Sequence, residues 1–292
     1  MWSIGLCAEL ACIWEATARK PGNVHRFRDF ADTSYIDFLQ SAAAIAGILD
    51  RASRQAVGET VLQCLQATRA VTRANTNLGI ILLLAPLATV PLEEDLQTEL
   101  SRVLGDLDLA DSHAVYQAIR LAQPGGLGRV SQQDVSQEPT LPLREAMALA
   151  ADRDMIARQY VTGFREVFND GVPILLGSLK RQPLPSLEEA IIHCHLHLMA
   201  NYPDSLIARK CSQRESEEAG RRASQVLARF WESKKARWEE LAKLDAWLRA
   251  DGNGRNPGTT ADLVTASLFI ALRQRSITLP LSIPFSAGGD HG

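Results

Sequence analysis

The run from Leu78 to Leu92 constrains this chain most. It is apolar along most of its length but is interrupted by Pro86 and Pro91. It falls short of the roughly 18 residues that a membrane span needs. From about 78 to 88 it is apolar nearly all round, which reads as a helix packed on every side. The polar turn Asn75-Thr76-Asn77, followed by Gly79, feeds directly into it. Short amide and hydroxyl groups at the mouth of a core helix are either caps or candidate ligand contacts, because buried polar groups need partners. Gly79 would let a backbone or a ligand approach closely.

The rest of the chain reads as helices around that core. Helical spacing places a first helix over 3–18, ended by Lys20-Pro21-Gly22-Asn23. A second is expected over about 35–53, capped from Asp32, Thr33 or Ser34, with an apolar face of Ile36, Leu39, Ala43, Ala46 and Leu49. Further helices are expected over 58–73, 93–104, 112–122, 143–150 and 152–169. Ser186-Leu187-Glu188-Glu189 is a capping box opening another, to about 200. A long charged helix over 213–249 and a last one over 259–273 complete the set. Residues 123–142 form a long loop, a length often functional or mobile. The tail from about 276 to 292 could be extended, although its prolines argue against a central strand. The expected class is all-α: a single compact multi-helix domain spanning 1–292.

Composition narrows the partners. With 46% hydrophobic and 22% charged residues, the 292-residue chain has a soluble globular balance. A net charge of −3 gives no electrostatic footprint for nucleic acid. The five cysteines are scattered without a CxxC pair, which points to a reducing cytoplasm and away from a cysteine zinc site. No nucleic-acid or membrane partner is expected.

Four constellations could carry chemistry. Lys20, Gly22 and Asn23 combine a point charge suited to phosphate with a tight turn, or they form a simple helix stop. Asn256, Gly258 and Thr259, with Thr260 and Asp262, place a helix N-terminus where an anion could sit. Asp262, expected in the first turn, is either dipole-stabilised or a Mg²⁺ ligand. His193 and His197 share a helical face at zinc-pair spacing, but the glutamate of HExxH is absent and no third ligand is evident. Asp204 heads a short segment ending in Arg209 and Lys210, which could meet phosphate or form a cap with a solvated basic end. Walker A, Rossmann and G-x-S-x-G signatures are absent.

Taken in order, these stretches resemble the triphosphoribosyl-dephospho-coenzyme A synthase family. The resemblance rests on Glu15 with Lys20-Pro21-Gly22-Asn23-Val24, Gly58-Glu59 leading to Thr68, Asn75-Thr76-x-x-Gly79, the Asp204 segment and Asn256-Pro257-Gly258-Thr259-x-Ala261-Asp262-Leu263. Three positions depart from the family pattern. The typical Asn-Thr-His-Lys-Gly reads Asn75-Thr76-Asn77-Leu78-Gly79. The Ser-His-x-Asp-Met segment reads Ser34-Tyr35-Ile36-Asp37-Phe38. Asp-Thr with a later Arg-x-Gly reads Asp204-Ser205 with Arg209-Lys210-Cys211.

The resemblance implies an all-helical transferase that moves the 5-triphosphoribosyl group of ATP to 3'-dephospho-coenzyme A and releases adenine. Displacement at the anomeric carbon passes through an oxocarbenium-like state, for which Glu59 and Asp37 are the candidate carboxylates. Mg²⁺ on Asp262 or Asp204 would neutralise the triphosphate. Lys20 and Arg209 would contact phosphates. Asn75, Thr76 and Asn77 would hold the adenine or ribose, with Thr68 and Gly79 as further substrate-binding candidates. The departures support a second reading, a nucleotide-binding or ribosyl-transfer protein of another cofactor pathway, such as tetrahydromethanopterin-linked one-carbon metabolism.

Overall fold

A computed structural model describes residues 2–126, 132–183 and 185–286. The all-helical expectation holds, with fourteen α-helices and no strand among the described residues. They gather into two compact units. The first holds residues up to Ile13 and Ile36–Arg165; the second holds Trp14–Tyr35 and everything from Glu166 onward.

The first unit takes most of α1 (Ile4–Thr17), then α2 (Tyr35–Leu49), α3 (Val57–Val71), α4 (Leu78–Thr89), α5 (Leu96–Gly105), α6 (Leu109–Ala122), α7 (Leu143–Ala148) and α8 (Met155–Thr162). As its composition dictates, α4 is buried from Ile80 through Ala88. Pro86 lies inside this helix. It has no N–H to give the Leu82 carbonyl one turn earlier, and the fully buried Tyr160 hydroxyl donates to that carbonyl instead, at 2.7 Å. Helices α3 and α6 approach closely because Gly58 has no side chain. A Cβ there would lie 2.6 Å from the Asp111 Cα. The Asp111 carboxylate accepts from Gly58 N at 2.7 Å and from Asp108 N at 3.0 Å, serving two helix starts.

The second unit contains α9 (Val172–Leu179), α10 (Leu187–Asn201), α11 (Ser205–Lys210), α12 (Gln213–Arg229), α13 (Lys234–Leu248) and α14 (Gly258–Arg273). Its core joins Ile192, Leu196 and Met199 of α10 to Ala219, Ala223 and Val226 of α12 and to Leu241, Leu244 and Leu248 of α13. The expected capping box is present, with Ser186 and Glu189 each bonded to the other's backbone. Ahead of it, Leu187 and Glu188 donate their N–H groups to the carbonyls of Pro284 and Phe285 in the tail.

Four local expectations are corrected. The buried residues of α2 are Ser41, Ala42, Ile45 and Leu49, while Ile36 is 55% exposed. The helix expected over 152–169 stops at Gly163, which takes the left-handed C-cap conformation that glycine adopts without strain. A π-helical turn, Val167–Gly171, then leads into α9, which periodicity did not reveal. The long helix over 213–249 is two helices, because Ser233 caps α13 by accepting from Ala236 N. The loop after α6 is pinned rather than loose in its described part. Tyr116 and Arg120 donate to the carbonyls of Gln133 and Val135, and Ser112 to that of Leu141. Residues 127–131 of that loop and 287–292 of the tail lie outside the described residues.

Candidate functional site

The polar turn before α4 is the centre of a cluster within the first unit. Asp37 stands in the first turn of α2. Its Oδ1 accepts from the Thr72 hydroxyl at 2.6 Å, just past the end of α3. Thr72 Oγ1 in turn accepts from Ala74 N at 3.1 Å, which shapes the turn. One helical turn after Asp37, Ser41 Oγ lies 2.6 Å from Thr76 Oγ1 and donates to the Asp37 carbonyl. Asn77 is the N-cap of α4, but its side chain does not cap. The amide instead donates to Thr68 Oγ1 at 3.1 Å, and its buried Oδ1 has no partner. Asn75 is exposed, Thr76 and Asn77 are buried, and Gly79 is half-buried. The cluster thus combines one carboxylate, four hydroxyls, an orphaned acceptor and a helix N-terminus without a side-chain cap. Such termini attract anions.

In the second unit the N-terminal and C-terminal motifs meet. The Asn23 amide donates to Asn256 Oδ1 at 2.7 Å. Gly22 has φ +79° and lies against Leu248 and Pro257, where a Cβ would come within 3.0 Å. Its N–H donates to Asp245 Oδ1 at 2.8 Å. Gly258 presses on Leu206 in the same way, with 2.6 Å available for a Cβ. Ser205 donates to Thr259 Oγ1 at 3.0 Å.

Two charges of the motif segments in this unit are turned inward. Lys20 is fully buried and pairs with Glu15 Oε1 at 2.8 Å. Its other donors reach the carbonyls of Glu15 and Ala18. All three ammonium hydrogens are spent, so Lys20 presents no free cation to a phosphate. Burial raises the Glu15 carboxyl above its usual range, against the opposing pull of Lys20. Asp204 is equally committed. Its Oδ1 accepts from Leu206 N and Ile207 N, and its Oδ2 from Thr260 N and Oγ1 at 2.7 and 2.8 Å. With two hydrogen bonds accepted by each oxygen, Asp204 ties the starts of α11 and α14 together. Burial raises its carboxyl, and those four hydrogen bonds oppose the shift.

The chain is matched over residues 1–279 by the family model of ATP:dephospho-CoA triphosphoribosyl transferases. It belongs to that family. A crystal structure of a protein assigned as a triphosphoribosyl-dephospho-CoA synthase from Archaeoglobus fulgidus is similar, at 27% identity and a TM-score of 0.62. The likeness covers 81% of this chain and 98% of that one. No curated protein matches the chain. As a member of this transferase family, the protein is an enzyme.

The remaining family positions fall in different settings. Glu59 is exposed in the first turn of α3 and accepts from Gln63. Thr68 follows nine residues later, about two and a half turns on and therefore on the opposite face. Glu59 is thus not part of the Asp37 cluster. Helix α14 starts at Gly258 with Pro257 as N-cap, so neither threonine caps it and Asp262 lies beyond the first turn. Asp262 and Arg209 are both half-buried.

His193, of the pair His193 and His197, is engaged by the protein on both ring nitrogens. The indole N–H of Trp231 donates to His193 Nε2 at 3.0 Å, and Nδ1 faces Ser178 Oγ at 2.8 Å. Indole can only donate, so Nε2 is the acceptor and Nδ1 carries the proton. Burial, helped by His197 and Arg181, pushes the His193 pKa down to about 3. Among the described residues no group of three potential metal ligands occurs.

Sequence reasoning did not select Ser41, Thr72 or His195. Ser41 was legible as the residue one turn after Asp37, and Thr72 stands inside the motif stretch. His195 is wholly buried with neither ring nitrogen bonded. Burial and the nearby Lys20 hold its pKa well below the ordinary value.

Proposed function

We propose that the protein transfers the 5-triphosphoribosyl group of ATP to the 2'-hydroxyl of the ribose in 3'-dephospho-CoA and releases adenine. The bond from the ribose anomeric carbon to adenine breaks, and its electron pair leaves with the base. The acceptor hydroxyl oxygen forms the new bond and gives up its proton. Positive charge grows on the anomeric carbon and ring oxygen in between.

The observation that carries this reading is Asp37, a carboxylate held in place by Thr72 beside the start of α4. A fixed negative group is the feature an oxocarbenium-like state calls for. Asn75, Thr76 and Asn77 supply neutral hydrogen bonds to base or ribose. The amides at the start of α4 suit phosphate oxygens. In place of the family's His-Lys pair, Asn77 and Leu78 leave this grip to neutral dipoles.

Mg²⁺ typically takes one or two carboxylates together with substrate phosphates. The donor set fits in part: Asp204 already accepts four hydrogen bonds, which favours Asp262 as the carboxylate that would hold the ion. When bound, Mg²⁺ would neutralise triphosphate charge. Calorimetry of ATP binding to the D262N variant, with and without Mg²⁺, tests this role without relying on turnover.

The partners are ATP and 3'-dephospho-CoA. No helix among the described residues is long and apolar enough to cross a membrane. Five free thiols fit a reducing cytoplasm. The deciding experiment is chromatographic detection of adenine from ATP plus 3'-dephospho-CoA, together with the mass of the coupled product. Adenine and product together support the assignment. ATP binding without either would instead support the nucleotide-binding reading.

A further inference from the structure

Helices α9 and α10 border an open cleft of about 200 Å³, lined by Ile174, Gly177, Ser178, Arg181, His193 and His197. None of these residues belongs to the family motifs. The lining has a specific chemistry. Trp231 donates to His193 Nε2, His193 Nδ1–H donates to Ser178 Oγ, and Ser178 donates to the Ile174 carbonyl at 2.7 Å. That chain of bonds fixes the His193 ring as a flat, neutral wall with no lone pair to spare. His197 stands edge-on to it, with ring centroids 4.6 Å apart.

Arg181 is the cation of the cleft. Its guanidinium lies 4.7 Å from the centre of the Trp231 ring. It pairs with no carboxylate among the described residues, and the lining contains no acid. Gly177 leaves one wall open, because a Cβ added there would meet nothing within 4 Å. Flat aromatic walls, an apolar side and one unpaired guanidinium fork select a planar body carrying a carboxylate-like group. The volume is below the roughly 300–1,000 Å³ of sites for drug-sized ligands, so the ligand is a fragment of about one ring.

We propose that this cleft is a second ligand site, which takes a small planar organic anion with its charged group on Arg181 and its ring against His193 and His197. The site shares no residue with the Asp37 cluster and does not depend on the transferase assignment.

Saturation-transfer NMR on the full chain tests it, with benzoate, benzamide and acetate as probes. Benzoate should receive saturation and bind saturably. Benzamide should bind about tenfold more weakly or worse, since it lacks the charge-assisted pair. Acetate should compete poorly, since it lacks the ring. The R181Q variant should lose benzoate binding by about the same factor. The G177L variant should fill the cleft, since the Cβ it adds meets nothing within 4 Å. Both should keep the parent's unfolding midpoint and its rate of adenine release. Absence of benzoate binding to the parent chain would overturn the proposal. So would unchanged binding in R181Q and G177L, or acetate binding as well as benzoate.

Discussion

The two polar clusters draw on the same short hydroxyl, amide and carboxylate side chains and use them differently. In the first unit, the groups around Asp37 are linked at the edges but not saturated. Asn75 is exposed, Asn77 Oδ1 is unpaired, and α4 begins without a side-chain cap. In the second unit the buried charges of the motif segments are consumed by the protein. Lys20 has three acceptors, Asp204 has four donors, and Glu188 is held by both Arg19 and Arg26. A buried ion is tolerable only when paired and hydrogen-bonded, so these residues brace loops. Motifs of similar appearance therefore leave polar groups open in one unit and brace loops at Lys20 and Asp204 in the other.

The sharpest way to break this comparison is to remove a bracing charge. K20M should destabilise the fold by about 3–5 kcal/mol, because Glu15 is left buried and unpaired. The double variant E15Q/K20M should recover much of that loss in urea denaturation. If K20M left the midpoint unchanged but abolished ATP binding, Lys20 would be a phosphate contact after all. Next comes Asp37. D37N should lower the rate of adenine release by about 10²–10³-fold, the range for one transition-state electrostatic contact. E59Q should stay within about threefold of the parent, consistent with its exposed place on the far face of α3.

D204A should cost about 2–4 kcal/mol, from two lost helix caps and a buried hydroxyl left without its acceptor. A metal role for Asp204 would show instead as an intact midpoint with weakened Mg²⁺-dependent ATP binding. G58A should cost about 1–3 kcal/mol through overlap with the Asp111 backbone.

The smallest effect near neutral pH is expected for H195L, within about 1.5 kcal/mol of the parent because the exchange nearly preserves volume. Its signature is the pH dependence. The folded-state pKa of His195 lies well below the ordinary 6.5. The unfolded chain therefore binds a proton that the folded chain refuses as pH falls through about 6.5. Stability from this histidine is complete above that pH and is lost on acidification. The advantage of H195L over the parent should grow as denaturation is repeated at successively lower pH. A constant difference would show that His195 is protonated in the folded state.

Much of the fold was legible because helical periodicity and caps are local. Ser186 with Glu189, and the all-round apolar stretch of α4, needed no tertiary information. Ser233 is a cap residue too, yet the charged pattern on both sides of it hid the break. The face of α2 was misread because Ser41 is buried by pairing with Thr76, a contact that hydrophobic spacing does not register. For the candidate site, the motifs pick out stretches but do not say how each side chain is engaged. Whether Lys20 meets a phosphate or a buried glutamate depends on burial. The separation of Glu59 from Thr68 follows from counting turns, and could have been read from the sequence.

The anchoring of α10 has a consequence for biosynthesis. Its first two amides are satisfied by carbonyls of Pro284 and Phe285, almost a hundred residues later in the chain. Chains emerge from the ribosome amino end first. This helix therefore waits, with its leading turn lacking those two acceptors, until Pro284 and Phe285 have been made. A nonsense mutation or protease nick ahead of Pro284 would leave that turn permanently open, on the same helix that carries Glu188, Glu189 and His195.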